Sequence, residues 1–78
     1  MDYWLEELAL MEQAALRIQA REEAAERLFD EALARAEQAG VKEHALRSEE
    51  FNAWMAARHD SDAAWGRWAM VMDAKPPA

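Results

Sequence analysis

The chain of 78 residues has no cysteine, two glycines and two prolines. Without cysteine it can hold neither a disulfide nor a thiolate zinc site. The first glycine is Gly40 and the prolines are Pro76 and Pro77, so nothing before residue 40 obliges a helix to stop. Basic residues are scarce: nine Lys and Arg stand against 16 Asp and Glu, a net charge of −7. A phosphate backbone is bound through a basic footprint, so direct nucleic-acid binding is not expected. No run reaches the ~18 apolar residues of a membrane span. The N-terminus lacks the basic-then-apolar order of a signal peptide. With the lack of cysteine, these absences make a cytoplasmic, membrane-free protein the expectation.

Chemistry-bearing motifs are missing too. His44 and His59 belong to no H-x-x-x-H or E-x-x-H pattern, so neither a metal nor another cofactor is expected. No Gly-rich loop or nucleophile elbow occurs. Carboxylates are plentiful, but nothing in the pattern supplies a pocket to shift their pKa values. The chain therefore reads as a non-enzyme without catalytic residues.

What is present is helix. Trp4, Leu8, Met11, Ala15, Ile18, Ala25, Phe29, Ala32, Ala36 and Ala39 recur at alternating steps of four and three, interrupted only by Glu22. That spacing places them on one stripe of a helix. Leu5, Leu16, Leu28 and Leu33 lie beside it, and strong helix formers fill the remainder. Asp2 suits the N-cap and Gly40 a left-handed end, which predicts one helix over about 2–39. Residues 40–47 read as a tight turn, too short and polar for a third element beyond one helical turn around Glu43 to Arg47. Ser48 suits a second N-cap, followed by a helix over about 49–73. Its stripe is Phe51, Trp54, Met55, Trp65, Trp68, Ala69 and Met72, with Arg58 and Asp62 intervening. His59 to Asp62 is its weak point, where Asp60 or Ser61 offers a cap. The absence of Gly or Pro there favours a continuous helix, with a kink as the alternative. Residues 74–78 read as a frayed tail.

The fold class is thus all-α: a single domain over 1–78, an antiparallel two-helix hairpin with a long first helix. At ~1.5 Å per residue the first helix spans about 57 Å and the second about 38 Å. Folded back on itself, the second helix would run out opposite Ala14. Tyr3, Trp4, Leu5, Leu8, Leu10 and Met11 would then lack cover, a larger apolar patch than a monomer usually exposes. Dimerisation into a four-helix assembly is the expected remedy, with Trp4, Leu5, Leu8, Met11, Ala15 and Ile18 at the interface.

Two sets of residues are candidates for binding a different protein. Trp54, Trp65 and Trp68 have the amphipathic bulk favoured at interfaces, and Gly66 would let a second backbone approach; the alternative is that the three indoles are core. Glu22, Glu26 and Asp30 form an i, i+4 acidic row, which suits a basic surface. The alternative is a solvated face, with Glu23–Arg27 and Glu31–Arg35 as ordinary helix pairs. His59 reads as a surface residue paired with a carboxylate.

The segments Trp54 to Arg58 (WMAAR) and Asp62 to Trp68 (DAAWGRW), in a short, acidic, Ala/Arg/Glu-rich helical chain, resemble small accessory proteins of tailed bacteriophages from GC-rich hosts. Such proteins commonly bind and block host proteins, including defence nucleases, pilus motors and transcription regulators. The resemblance implies a module that inhibits or modulates an unidentified protein partner; the missing catalytic motifs and the uncovered N-terminal stripe make a non-enzymatic homodimer the form expected for it. Two alternatives stand beside it: an acidic decoy occupying a nucleic-acid-binding protein such as a CRISPR defence complex, and a purely structural helical subunit.

Overall fold

Helix α1 runs Tyr3–Gln38 and helix α2 runs Glu49–Asp73, joined by a 3-10 helix over Lys42–Arg47. The computed structural model describes residues 2–77; Met1 and Ala78, the outer ends of the expected domain and tail, lie outside the described residues. The chain forms an all-α, antiparallel two-helix hairpin, a rod of 60 × 15 × 15 Å.

The ends of the helices follow from local chemistry. The Asp2 carboxylate accepts from the Leu5 N–H at 3.3 Å, and the Ser48 hydroxyl oxygen accepts from the Phe51 N–H at 3.1 Å. Each supplies an acceptor to a helix N-terminus that has none within the helix. Gly40 has φ +77°, and the Gly40 and Val41 N–H groups donate to the Glu37 and Ala36 carbonyls at 3.1 and 2.9 Å. This paired closure of a helix requires a left-handed residue, which glycine supplies without a side-chain clash. Across His59 to Asp62, α2 continues without a break.

The expected overhang of α1 is corrected in part: Trp4, Leu8 and Met11 are half-covered, whereas Tyr3, Leu5 and Leu10 are exposed as expected. Residues 41–47 do not simply reverse the chain: the 3-10 helix packs on α1 and buries Ala45. Six residues at about 2 Å per residue add roughly 12 Å to the returning arm. That arm consequently reaches the N-terminus of α1. The Trp4 indole Nε1 donates to the Val71 carbonyl at 2.7 Å, and Lys75 Nζ lies 5.8 Å from the Trp4 ring centroid. The exposed post-helical residues Lys75, Pro76 and Pro77 line a groove with Asp2, Trp4 and Leu5.

Trp4, Leu8, Met11, Ala15, Ile18, Ala25, Phe29, Ala32 and Ala36 are all buried or half-buried; only Ala39, beside the turn, is exposed. The stripe of α2 differs from the one expected. Its covered positions are Glu50, Trp54, Ala57, Ser61, Ala64, Trp68 and Val71, flanked by Phe51, Met55 and Trp65, while Ala69 and Met72 are exposed. Ser61, which the sequence offered as a cap, is buried in the seam together with Ala64 and Ala15. Small side chains let two helices approach closely, and bulk is kept for the ends. Phe29 stacks on Trp54 at 5.1 Å and tilts against Phe51 at 5.5 Å toward the closed end. Toward the open end Trp65 and Trp68 meet edge to face at 5.6 Å. Among the described residues no large side chain is completely buried.

Candidate protein-binding surface

The four tryptophans are half-buried, neither enclosed core nor free surface. Trp65 Nε1 donates to the Gln19 Oε1 at 2.9 Å, which ties its ring to one side of α1. Trp54 Nε1 is buried with no hydrogen-bond partner. An orphaned donor costs about 1–3 kcal/mol, offset here by the stacking of its ring on Phe29. Gly66 meets nothing within 4 Å of an added Cβ, so within the hairpin no backbone approaches it.

Of the acidic row, Glu22 takes a stripe position in the helix seam and is half-covered, as is Glu26; only Asp30 is exposed. The pairs Glu23–Arg27 and Glu31–Arg35 do not form among the described residues. Gln19 donates to Glu23 at 3.2 Å instead, and Arg35 reaches across to Glu50 at 3.9 Å. A second pair joins Lys42 to Glu37 at 3.7 Å. These pairs are largely solvated and contribute little to stability. His44 and His59 are exposed, and neither forms an ion pair among the described residues.

The six residues expected at a dimer interface are redistributed by the longer return arm. Ala15 is fully enclosed within one hairpin, and Trp4, Leu8, Met11 and Ile18 are half-covered by the chain's own second arm. Leu5 alone is predominantly exposed, at 53 %.

Either side of the seam lies a flank, and the two differ in charge. One carries Leu5, Glu12, Leu16, Gln19, Glu23, Glu26, Asp30, Leu33 and Glu37 of α1, residues recurring at heptad spacing beside the stripe, and no Lys or Arg. The Trp65–Gln19 bond places Trp65 on this flank, and heptad spacing adds Arg58 and Met72. At its closed end is a groove of about 460 Å³ lined by Phe29, Leu33, Lys42, Glu43 and Leu46. The opposite flank holds Glu7, Leu10, Arg17, Arg21, Leu28, Glu31 and Arg35 of α1. The Arg35–Glu50 pair and a groove of about 190 Å³ lined by Ile18, Arg21, Ala57, Asp60, Ala63 and Arg67 place α2's contribution there. On one flank α1 contributes only apolar, amide and acidic side chains, with Arg58 and Lys42 the basic residues beside them; on the other α1 itself carries charges of both signs.

Sequence periodicity missed this division, because it measures distance from the stripe and takes no account of which side a residue lies on. The signal was nevertheless present: every arginine of α1 (Arg17, Arg21, Arg27 and Arg35) falls on the same side of the stripe or at its back. Among the described residues no group of three or more His, Asp or Glu is arranged to hold a metal, and no helix is long and apolar enough to cross a membrane. No family model matches the chain, and neither a curated protein nor a solved structure is significantly similar to it.

Proposed function

We propose that the chain is a non-enzymatic protein-binding module that pairs with a second copy of itself and modulates a different protein partner. The observation carrying this is an excess of surface. The accessible area is 5941 Å², whereas a compact monomer of this 8.9 kDa mass exposes about 4,800 Å². The difference, about 1,100 Å², exceeds the roughly 800 Å² that each partner contributes to a standard interface. Leu10, Leu28 and Met70 are among the large apolar side chains left exposed. A hairpin of this length also has too little core to be strongly stable alone, and a second layer is the reinforcement open to a chain without cysteine.

The mixed-charge flank is the better surface for self-association. A two-fold contact sets each patch against its own copy, so charges of both signs can pair while a single sign repels. The resemblance to host-modulating phage proteins points the same way for the foreign partner, which would then be a host protein. The decoy alternative has less support, because Glu22 and Glu26 are partly covered and present an incomplete anionic row. A purely structural subunit would self-assemble and bind nothing else.

Light scattering coupled to size exclusion at micromolar concentration tests the pairing. The expected mass is twice 8.9 kDa. Leu10→Glu with Leu28→Glu should shift the protein to one chain without unfolding it, because both side chains point to solvent in the hairpin. A wild-type mass of one chain would remove self-association and leave both flanks for foreign partners.

A further inference from the structure

The two flanks need different partners, and the acidic one can be specified further. On it, α1 presents Glu12, Glu23, Glu26, Asp30 and Glu37 with no basic residue among them, beside exposed Leu5 and Leu16. On the α2 side the half-buried Trp65 is anchored to Gln19, and exposed Met72 follows one heptad later. The groove of Phe29, Leu33 and Leu46 continues this apolar strip to the closed end, where Lys42 is occupied by Glu37. A second copy docked here by a two-fold axis would set acid against acid. A strip of Leu, Met and Trp whose α1 edge is wholly acidic, with Arg58 the one basic side chain that α2 adds to it, complements an amphipathic helix whose apolar face is bordered by Lys and Arg. Methionine adapts to such a face without needing a fixed sequence, and the indole tied to Gln19 gives it a fixed apolar anchor.

We infer that the Trp65 flank is the docking surface for a basic amphipathic helix of a partner protein. This rests on the protein-binding reading, and it commits that reading to one flank and one partner chemistry. The occupant lies along the rod, its apolar side chains over Leu16, Trp65 and the Leu33–Leu46 groove, and its basic residues over the acidic edge. The mixed-charge flank stays free for the second copy.

The test uses a fluorescein-labelled synthetic helix with leucines at i, i+3, i+4 and i+7 and lysines beside them, read by anisotropy at 0.15 M salt. Because any basic peptide is drawn to a protein of net charge −7, two double variants of equal charge form the core of the experiment. Glu23→Lys with Asp30→Lys changes the flank; Glu31→Lys with Asp73→Lys changes exposed positions away from it; each raises the net charge by four, to −3. The expected result is at least a tenfold loss of affinity for the flank pair and under threefold for the other, with unchanged helical circular dichroism in both. Leu16→Ser, which removes an exposed apolar contact without altering charge, should also weaken binding severalfold. Equal losses for the two double variants would mean attraction by net charge alone and would overturn the assignment, as would absence of binding by the wild type at 100 µM. A flank pair that changes the self-associated mass would overturn it in favour of the second copy. The self-association measurement is separate, so the flank assignment can fail while the dimer stands.

Discussion

Trp4 and Val71, 67 residues apart, are joined by a hydrogen bond of 2.7 Å from the indole Nε1 to the main-chain carbonyl. The contact closes the open end of the hairpin and makes Trp4, with Leu8 and Met11, part of the intramolecular seam, while Tyr3, Leu5 and Leu10 stay exposed. Trp4→Phe keeps most of the ring and removes the donor. The expected cost is about 0.5–1.5 kcal/mol, the usual net worth of one such bond. Urea denaturation reads the loss, and amide exchange should quicken near Val71 while the closed end is unchanged.

The two glycines should respond in opposite directions. Gly40 sits at φ +77°, where an L side chain costs about 1–2 kcal/mol, so Gly40→Ala should destabilise by that order and Gly40→Val by more. Gly66 lies within α2 and an added Cβ would meet nothing, so Gly66→Ala should stabilise by about 0.5–1 kcal/mol. Paired thermal melts decide it. A stabilised Gly66→Ala protein that no longer binds its partner would locate a close backbone approach at that outer position.

The seam should be intolerant of bulk. Ala15 is completely buried and Ala64 nearly so. Ala15→Leu or Ala64→Leu must push the helices apart or force strained rotamers, at about 1–3 kcal/mol each. A melting temperature unchanged from wild type would mean that the helices do not approach through small residues.

Glu22 is the one carboxylate at a stripe position of α1, half-covered by α2. Glu22→Leu restores the apolar step between Ile18 and Ala25. It should raise stability by about 0.5–2 kcal/mol, the range typical of surface and core optimisation. Denaturant midpoints of the two proteins at neutral pH give the sign directly.

The helices and their ends could be read from the sequence because they depend on local chemistry: a carboxylate or hydroxyl before the first turn, a glycine after the last, and a repeat of four and three between. The seam of α2 could not. Periodicity assigned by size selects Phe51, Trp65 and Met72, whereas a close helix pair selects Ala57, Ser61 and Ala64, which carry no sign of burial in the sequence. Of the 3-10 helix the sequence showed a turn around Glu43 to Arg47 but not its packing on α1, for a related reason. Its polar residues Lys42, Glu43 and His44 face out, and only Ala45, a small residue, meets the core. Of the candidate site, the tryptophans and the acid-rich composition could be read, but which flank each belonged to depended on the pairing of Gln19 with Trp65 and of Arg35 with Glu50.

The antiparallel register grades the seam in time as well as in space. Phe29 and Phe51 are separated by 22 residues, and Trp4 and Val71 by 67. Loop-closure entropy rises with the logarithm of that separation, so the outermost contact costs about 1 kcal/mol more to form directly from the unfolded chain. The hairpin is therefore expected to nucleate at the Phe29–Phe51–Trp54 cluster beside the 3-10 helix and to zip toward Trp4. Reopening runs the other way. The arms part first where Trp4 and Lys75 meet, like a clothes-peg whose spring is the aromatic cluster, and the outermost turns open and close many times for each event that unfolds the whole rod.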